Sequence, residues 1–168
     1  MGTPFDVKAQ NAVPCIWFND QAEEAVKFYT ATIPNSEITA VARYGEAGSK
    51  VAGKPAGSTM TVTFRIDGRD FMALNGGPYY QLTGAISFVL YCDTQAEIDR
   101  LWEALSAGGE KLKCGWLKDR YGVHWQIVPS NLGKLTSGDA RKTAKVMEAL
   151  LKMGKLEVAG LQAAFDQA

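Results

Sequence analysis

His124 is the single histidine of the 168-residue chain, and so the one side chain whose ordinary titration falls near neutral pH. It could act as a general acid or base, with Cys15 or Cys114 as a conceivable nucleophile beside it, or it could be a hydrogen-bonded structural residue of a strand. No residue pattern supplies the third, orienting group that a Cys–His couple needs. A metal site built on two imidazoles is excluded within one chain. The three cysteines, Cys15, Cys92 and Cys114, are odd in number and lack CxxC spacing. They fit neither a disulfide framework nor a zinc knuckle and are read as reduced thiols. Gly48-Ser-Lys-Val-Ala-Gly53-Lys54 has the opening of a phosphate loop, but Pro55 stands where Ser or Thr would hold magnesium, and no helix is expected after it. It reads as a mobile loop.

Composition narrows the classes further. Lys and Arg number 18 against 18 Asp and Glu, so the formal net charge is zero, and no basic excess is available for a nucleic-acid surface. With 46% apolar and 21% charged residues the chain is in the globular range, and its length suits a single domain with a core that needs no disulfide. No apolar run is long enough to span a membrane, and Met1-Gly-Thr-Pro-Phe-Asp6 lacks a signal pattern, so the expectation is a cytoplasmic protein.

The elements that must position these side chains come in two similar sets. Val13 to Asn19 is short, apolar and β-prone, and Asp20 is a natural cap for the helix that carries Ala22, Ala25, Val26 and Tyr29 at helical spacing. Three strand-like runs follow, Glu37 to Tyr44, Thr59 to Ile66 and Phe71 to Asn75, the last two joined by the turn Asp67-Gly68. The pattern restarts at Ala85 with a strand, Asp93 as cap, and a helix through Ile98, Leu101, Trp102 and Leu105 to Gly108-Gly109. A shift of 73 lays Asp20 on Asp93 and Tyr29 on Trp102; a shift of 51 lays Asn75-Gly-Gly-Pro78 on Gln126-Ile-Val-Pro129. The second half is thus about 22 residues shorter, and the missing piece is the Gly-rich stretch Gly45 to Ser58, either a lid or a solvated linker, with part of a neighbouring strand. Beyond Pro129, Asn131 to Gly138 reads as a polar loop and Asp139 to Met153 as an amphipathic helix with Ala144, Met147 and Leu151 on its apolar stripe. A last short helix carries Leu156, Leu161 and Phe165. Burying that stripe is the ground for expecting a homodimer.

Phe18-Asn-Asp20 before Ala22-Glu-Glu-Ala25 and Phe28-Tyr29, then Phe71-Met-Ala-Leu-Asn-Gly-Gly-Pro78, and Cys114 to Pro129 carry a family resemblance. The chain resembles the PhnB-like branch of the vicinal oxygen chelate (glyoxalase, bleomycin resistance and dioxygenase) superfamily, the branch labelled 3-demethylubiquinone-9 3-methyltransferase-like. The resemblance implies an α+β fold in which paired βαβββ modules, about 10–80 and 84–130, form a cupped mixed sheet, with C-terminal helices at about 137–168.

In metal-using members of that superfamily, four ligands come from the first and last strands of each half. The corresponding positions here are Val13, Asn75, Ile86 and Gln126, with a residue of latitude in the two first strands. Val and Ile cannot ligate, and neutral amides bind divalent cations weakly, so no metal and no other cofactor is expected. Alternation from those positions places Val13, Cys15 and Trp17, then Phe71, Ala73 and Asn75, then Ile86, Phe88 and Leu90, and finally His124 and Gln126 on the cup face. Val123, Trp125 and Ile127 would pack beneath the helices. The expectation is a cup that binds a small apolar or aromatic molecule without a metal, with His124 as the one catalytic candidate and plain core as the bland alternative. The competing readings are a metal-dependent lyase or dioxygenase drawing on Cys15, Asp70, Asp119 or His124, and a non-catalytic dimeric scaffold. Methyl transfer is disfavoured because no GxGxG turn follows the first strand. No nucleic acid or membrane partner is expected.

Overall fold

The computed structural model describes residues 12–167. The amino-terminal stretch read for a signal pattern lies outside them. The chain divides into two compact units, Met1–Leu82 and Thr83–Ala168, each built around its own four-stranded mixed sheet. Among the described residues no helix is long and apolar enough to cross a membrane.

In the first unit, β1 (Cys15–Phe18) leads into helix α1 (Ala22–Thr32), followed by β2 (Glu37–Arg43), the short helix α2 (Glu46–Ala52), β3 (Thr59–Ile66) and β4 (Arg69–Asn75). The sheet order is β1-β4-β3-β2, with β1 parallel to β4 and the other pairs antiparallel. Helix α1 covers one face, where Ala22, Ala25, Val26 and Tyr29 pack fully buried against Val62, Phe64 and Ala73. The rings of Phe64 and Phe71 stack at 5.5 Å across the β3–β4 ladder and extend that core.

The second unit repeats the order. Strand β5 (Phe88–Cys92) leads into α3 (Gln95–Ser106), then β6 (Glu110–Lys111), β7 (Trp116–Lys118) and β8 (His124–Pro129), arranged β5-β8-β7-β6 with β5 parallel to β8. Its core sets Ile98, Leu101 and Leu105 of α3 against Leu117, Trp125 and Ile127. The α+β class and the two β-α-β-β-β orders are as the sequence predicts. The length difference falls where expected: Tyr44 to Ser58 separates β2 from β3, whereas Leu112 to Gly115 suffices between β6 and β7. That segment is not all loop, since α2 forms within it; no residue of α2 is buried.

Three local expectations change. The N-cap position of α1 is Gln21 rather than Asp20, and Gln21 makes no side-chain cap. Thr94, not Asp93, caps α3 in a reciprocal capping box with Glu97, while the Asp93 carboxylate accepts the Ser130 hydroxyl at 2.6 Å. The stretch 131–138 holds a turn of helix, α4 (Leu132–Leu135), because Leu132 and Leu135 have an apolar cluster to enter.

That cluster is built by α5 (Ala140–Leu150) and α6 (Val158–Asp166). Asp139, read as the first residue of that helix, is instead its cap, accepting from the Arg141 and Lys142 amides at 2.9 and 3.0 Å. The buried stripe, however, is Val146 and Leu150, which meet Leu135, Leu156 and Leu161; Ala144, Met147 and Leu151 are exposed. The periodicity of α5 is satisfied by either stripe, and contact with α6 selects the one carrying the branched residues. Gln95 ties this extension to α3, its Nε2 donating to the Leu156 carbonyl at 3.1 Å and its Oε1 accepting the Val158 amide at 2.8 Å.

Candidate functional site

Side chains of paired residues in a ladder stand on the same face, so the registers fix which residues the helices cover and which face away. In the first unit β1 pairs with β4 as Cys15 with Met72, Ile16 with Ala73, Trp17 with Leu74 and Phe18 with Asn75. Ile16, Phe18, Phe71, Ala73 and Asn75 are buried on the α1 side. The opposite, open face carries Cys15, Trp17, Met72, Leu74, Thr61 and Thr63.

Cys15 and Trp17 therefore lie on the open face as expected, whereas Phe71 and Asn75 lie on the covered one. Asn75 has a specific reason to be there. Its Oδ1 accepts the Ala22 amide at 2.8 Å, which caps α1 from across the unit, and its Nδ2 donates to the Thr59 carbonyl at 3.1 Å. The Tyr44 hydroxyl donates to the Asn75 carbonyl at 2.6 Å. The side chain is 5% exposed, and both ends of its amide are engaged.

Trp17 is half-buried and fixed in orientation. Its indole N–H donates to the Gly77 carbonyl at 2.8 Å, Tyr80 meets the ring edge-on at 4.9 Å, and Gly76 lies so close behind that a β-carbon there would enter the indole. Cys15 stands beside it on the same face, exposed as a residue; partial burial of its thiol pushes the pKa up, so the thiolate is disfavoured. A groove of about 640 Å³ opens elsewhere in this unit, between the first turn of α1 and residues 53–59. Glu23, Lys27 and Lys54, three of its charged groups, are engaged locally. Glu23 pairs with Lys27 at 2.8 Å and accepts from the Thr59 hydroxyl, which holds its carboxyl below the usual range, and the Lys54 ammonium donates to the Asn19 carbonyl at 2.7 Å.

In the second unit β5 pairs with β8 as Phe88 with Trp125, Val89 with Gln126, and Leu90 with Ile127. Trp125 and Ile127 are buried under α3 as predicted, with Val123, and they take Phe88 and Leu90 with them. Phe88 meets the Trp125 ring at 5.5 Å. So Phe88 and Leu90 belong to the covered face, one residue out of step with the expectation, and Ser87, Val89 and Tyr91 take the open one.

His124 and Gln126 are on that open face as expected, and β7 adds Lys118 opposite His124 and Trp116 opposite Gln126. Gln126 Nε2 donates to the Ser87 hydroxyl at 2.9 Å. The Lys118 ammonium pairs with Glu110 at 2.8 Å, and that hydrogen bond, with the Lys118 charge and a smaller contribution from His124, holds the Glu110 carboxyl below its usual range. His124 packs against Gly84, and its Nδ1 is buried with no hydrogen-bond partner.

Asp119 is the buried polar residue whose role the sequence did not disclose. At 1% exposure its carboxylate accepts from the Tyr121 and Val123 amides at 2.8 and 3.0 Å and from the Trp125 indole N–H at 2.8 Å. It shapes the β7–β8 turn from inside. Asp70 is likewise engaged, by Arg65 at 2.9 Å.

These residues do not fit the metal of the superfamily. Val13 and Ile86 have no donor atom, the Asn75 amide is turned to α1, and Gln126 offers a neutral oxygen. Among the described residues no three His, Cys, Asp or Glu side chains are grouped to hold a metal ion.

Comparison with known proteins agrees with this architecture. The family model described as 3-demethylubiquinone-9 3-methyltransferase matches residues 10–128. The PhnB protein of Bacillus cereus is 32% identical with a TM-score of 0.65, the match covering 72% of this chain and 100% of that one. A Pseudomonas aeruginosa protein is 25% identical with a TM-score of 0.58 over 72% of this chain and 98% of its own. The fosfomycin resistance protein FosX of Listeria monocytogenes, 17% identical with a TM-score of 0.51 over 76% and 96%, shares the fold. No curated protein matches the chain. The matched span holds both β-α-β-β-β sets to within one residue of the end of β8, and on that basis the chain belongs to the 3-demethylubiquinone-9 3-methyltransferase family, the PhnB-like branch of the glyoxalase superfamily.

Proposed function

We propose that the protein binds a small, largely apolar or aromatic molecule against the open face of its sheets, without a metal. The observation that carries this reading is Trp17. Its N–H is tied to the Gly77 carbonyl, its edge meets Tyr80 and its back rests on Gly76, yet the residue stays half-exposed among Cys15, Leu74 and Met72. An aromatic side chain immobilised before any ligand arrives loses little conformational freedom on binding, which is what a stacking wall requires.

Methyl transfer, which the family description names, does not fit these residues. A nucleoside cofactor of that chemistry wants glycines and free amides where the first strand turns into its helix. Here β1 reaches α1 through Asn19-Asp20-Gln21, and the Ala22 amide is already held by Asn75.

The test is titration of the purified protein with naphthalene, followed by tryptophan fluorescence with and without a chelator, alongside elemental analysis of protein prepared without chelator. The expected result is saturable binding that the chelator leaves unchanged and that Trp17→Ala weakens at least tenfold. Absence of binding would overturn the reading, and near-stoichiometric transition metal would overturn its metal-free part.

A further inference from the structure

The open face of the second sheet carries a side-chain amide and an imidazole on one strand. Gln126 and His124, two residues apart on β8, have Cα atoms about 6.6 Å apart by strand geometry, close enough for one ligand oxygen to reach both side chains. The Gln126 amide is oriented by Ser87: with Nε2 donating to the serine hydroxyl, Oε1 is left as an acceptor with no partner among the described residues. The imidazole is also one-sided. Nδ1 is buried without a partner among the described residues, and a bare N–H is the rarer orphan in folded proteins, so the proton belongs on Nε2, which makes no hydrogen bond to any described residue and is left as a donor. Trp116, cross-strand from Gln126, supplies an aromatic surface alongside.

Charge on this face is balanced. The Lys118 ammonium is paired with Glu110, so no net positive charge is offered to an anion. What the face presents is one acceptor, one donor and a ring. A group that donates one hydrogen bond and accepts another through a single oxygen satisfies both, and that group is a hydroxyl.

Building on the proposed binding of aromatic molecules, we infer that Gln126 and His124 form a subsite for a phenolic or enolic hydroxyl, with Ser87 as the positioning residue that turns the amide oxygen outward. The ligand O–H donates to Gln126 Oε1, its oxygen accepts from His124 Nε2–H, and its ring lies against Trp116.

Four probes of one ring size test this: naphthalene, 2-naphthol, 2-methoxynaphthalene and 2-naphthoate, titrated into the full chain and followed by tryptophan fluorescence. The expectation is that 2-naphthol binds about tenfold or more tighter than naphthalene, the scale of one well-made hydrogen bond, and tighter than the other two. Gln126→Leu should abolish that advantage, so that 2-naphthol and naphthalene bind the variant alike. Gln126→Glu, which keeps shape and acceptor, should retain it and so exclude misfolding as the cause. Ser87→Ala should reduce it several-fold. Equal binding of 2-naphthol and naphthalene would overturn the subsite and leave the aromatic-binding reading standing. Equal binding of 2-methoxynaphthalene and 2-naphthol would overturn it by showing that the O–H is not read. Tighter binding of 2-naphthoate would overturn it in favour of an anion site. Failure of every probe would defeat the binding reading itself.

Discussion

The two units share a topology and differ at its joints. In the first, the amino terminus of α1 is capped by Asn75, 53 residues away in sequence, through its contact with the Ala22 amide. In the second, α3 is capped by Thr94 and Glu97, neighbours within one turn. The β3–β4 connection is the two-residue turn Asp67-Gly68, with both residues at positive φ, whereas β7–β8 runs through five residues organised around a buried carboxylate. One arrangement of strands can thus be closed by local or by distant contacts. The choice decides which substitutions spread through a unit and which stay at one helix end.

Four substitutions sharpen the contrast. Asp119→Ala is expected to be the most damaging, because it leaves two buried donors and one half-buried donor unpaired at once, the buried ones each worth about 1 to 3 kcal/mol. A loss of roughly 3 kcal/mol or more in chemical denaturation, with β7 and β8 the first to lose amide-exchange protection, is the expected outcome; a variant within about 1 kcal/mol of the parent would show that the turn holds itself. Asn75→Ala comes next at about 2 kcal/mol, since it removes a cap and strands the Ala22 amide. Its signature is loss of protection in both α1 and β3, which a purely local cap would not produce. Thr94→Ala should cost about 1 kcal/mol and fray only the first turn of α3. Gly84→Ala should be smallest, within about 0.5 kcal/mol, because the added β-carbon would sit 3.3 Å from the His124 ring and a slight shift relieves it. Nuclear magnetic resonance should nevertheless register the displaced imidazole.

Both sets of elements were legible in the sequence because strand runs, turn residues and helix spacing are local properties. Which face each strand presents was only half legible, and the reason is a single residue. Phe18 and Cys92 occupy the same place, the last and covered residue of the first strand, paired with Asn75 and Pro129 respectively. Three residues then lead to α1 but only two to α3. A shift of 73 aligns the helices and misaligns the strands, and because side chains alternate, one residue of slip reverses every face. Cys15 and Trp17 thus came out on the open side and Phe88 and Leu90 did not. The pairing of Asn75 with Gln126, drawn from the prolines that follow each motif, fails for a related reason: in the ladders the counterpart of Gln126 is Met72. The remote cap by Asn75 left no local mark, since its partner is 53 residues away; the inward turn of Asp119 is closed by neighbours two to six residues on, but a turn Asp in sequence looks the same whether it faces solvent or the core.

The segment between β2 and β3 has a consequence of another kind. Below α2 the chain closes on itself: the Tyr44 amide donates to the Ser58 carbonyl at 2.9 Å and the Gly57 amide to the Tyr44 carbonyl at 2.8 Å, so the ladder is complete before the helix begins. Above that neck nothing is buried, and Val51 is 91% exposed. Doubling the length of such a loop costs only about 0.6 kcal/mol. The tip of α2 is accordingly a natural port for grafting, where a reporter domain could be spliced in, or new chain ends opened by circular permutation, with β2 and β3 still meeting in register.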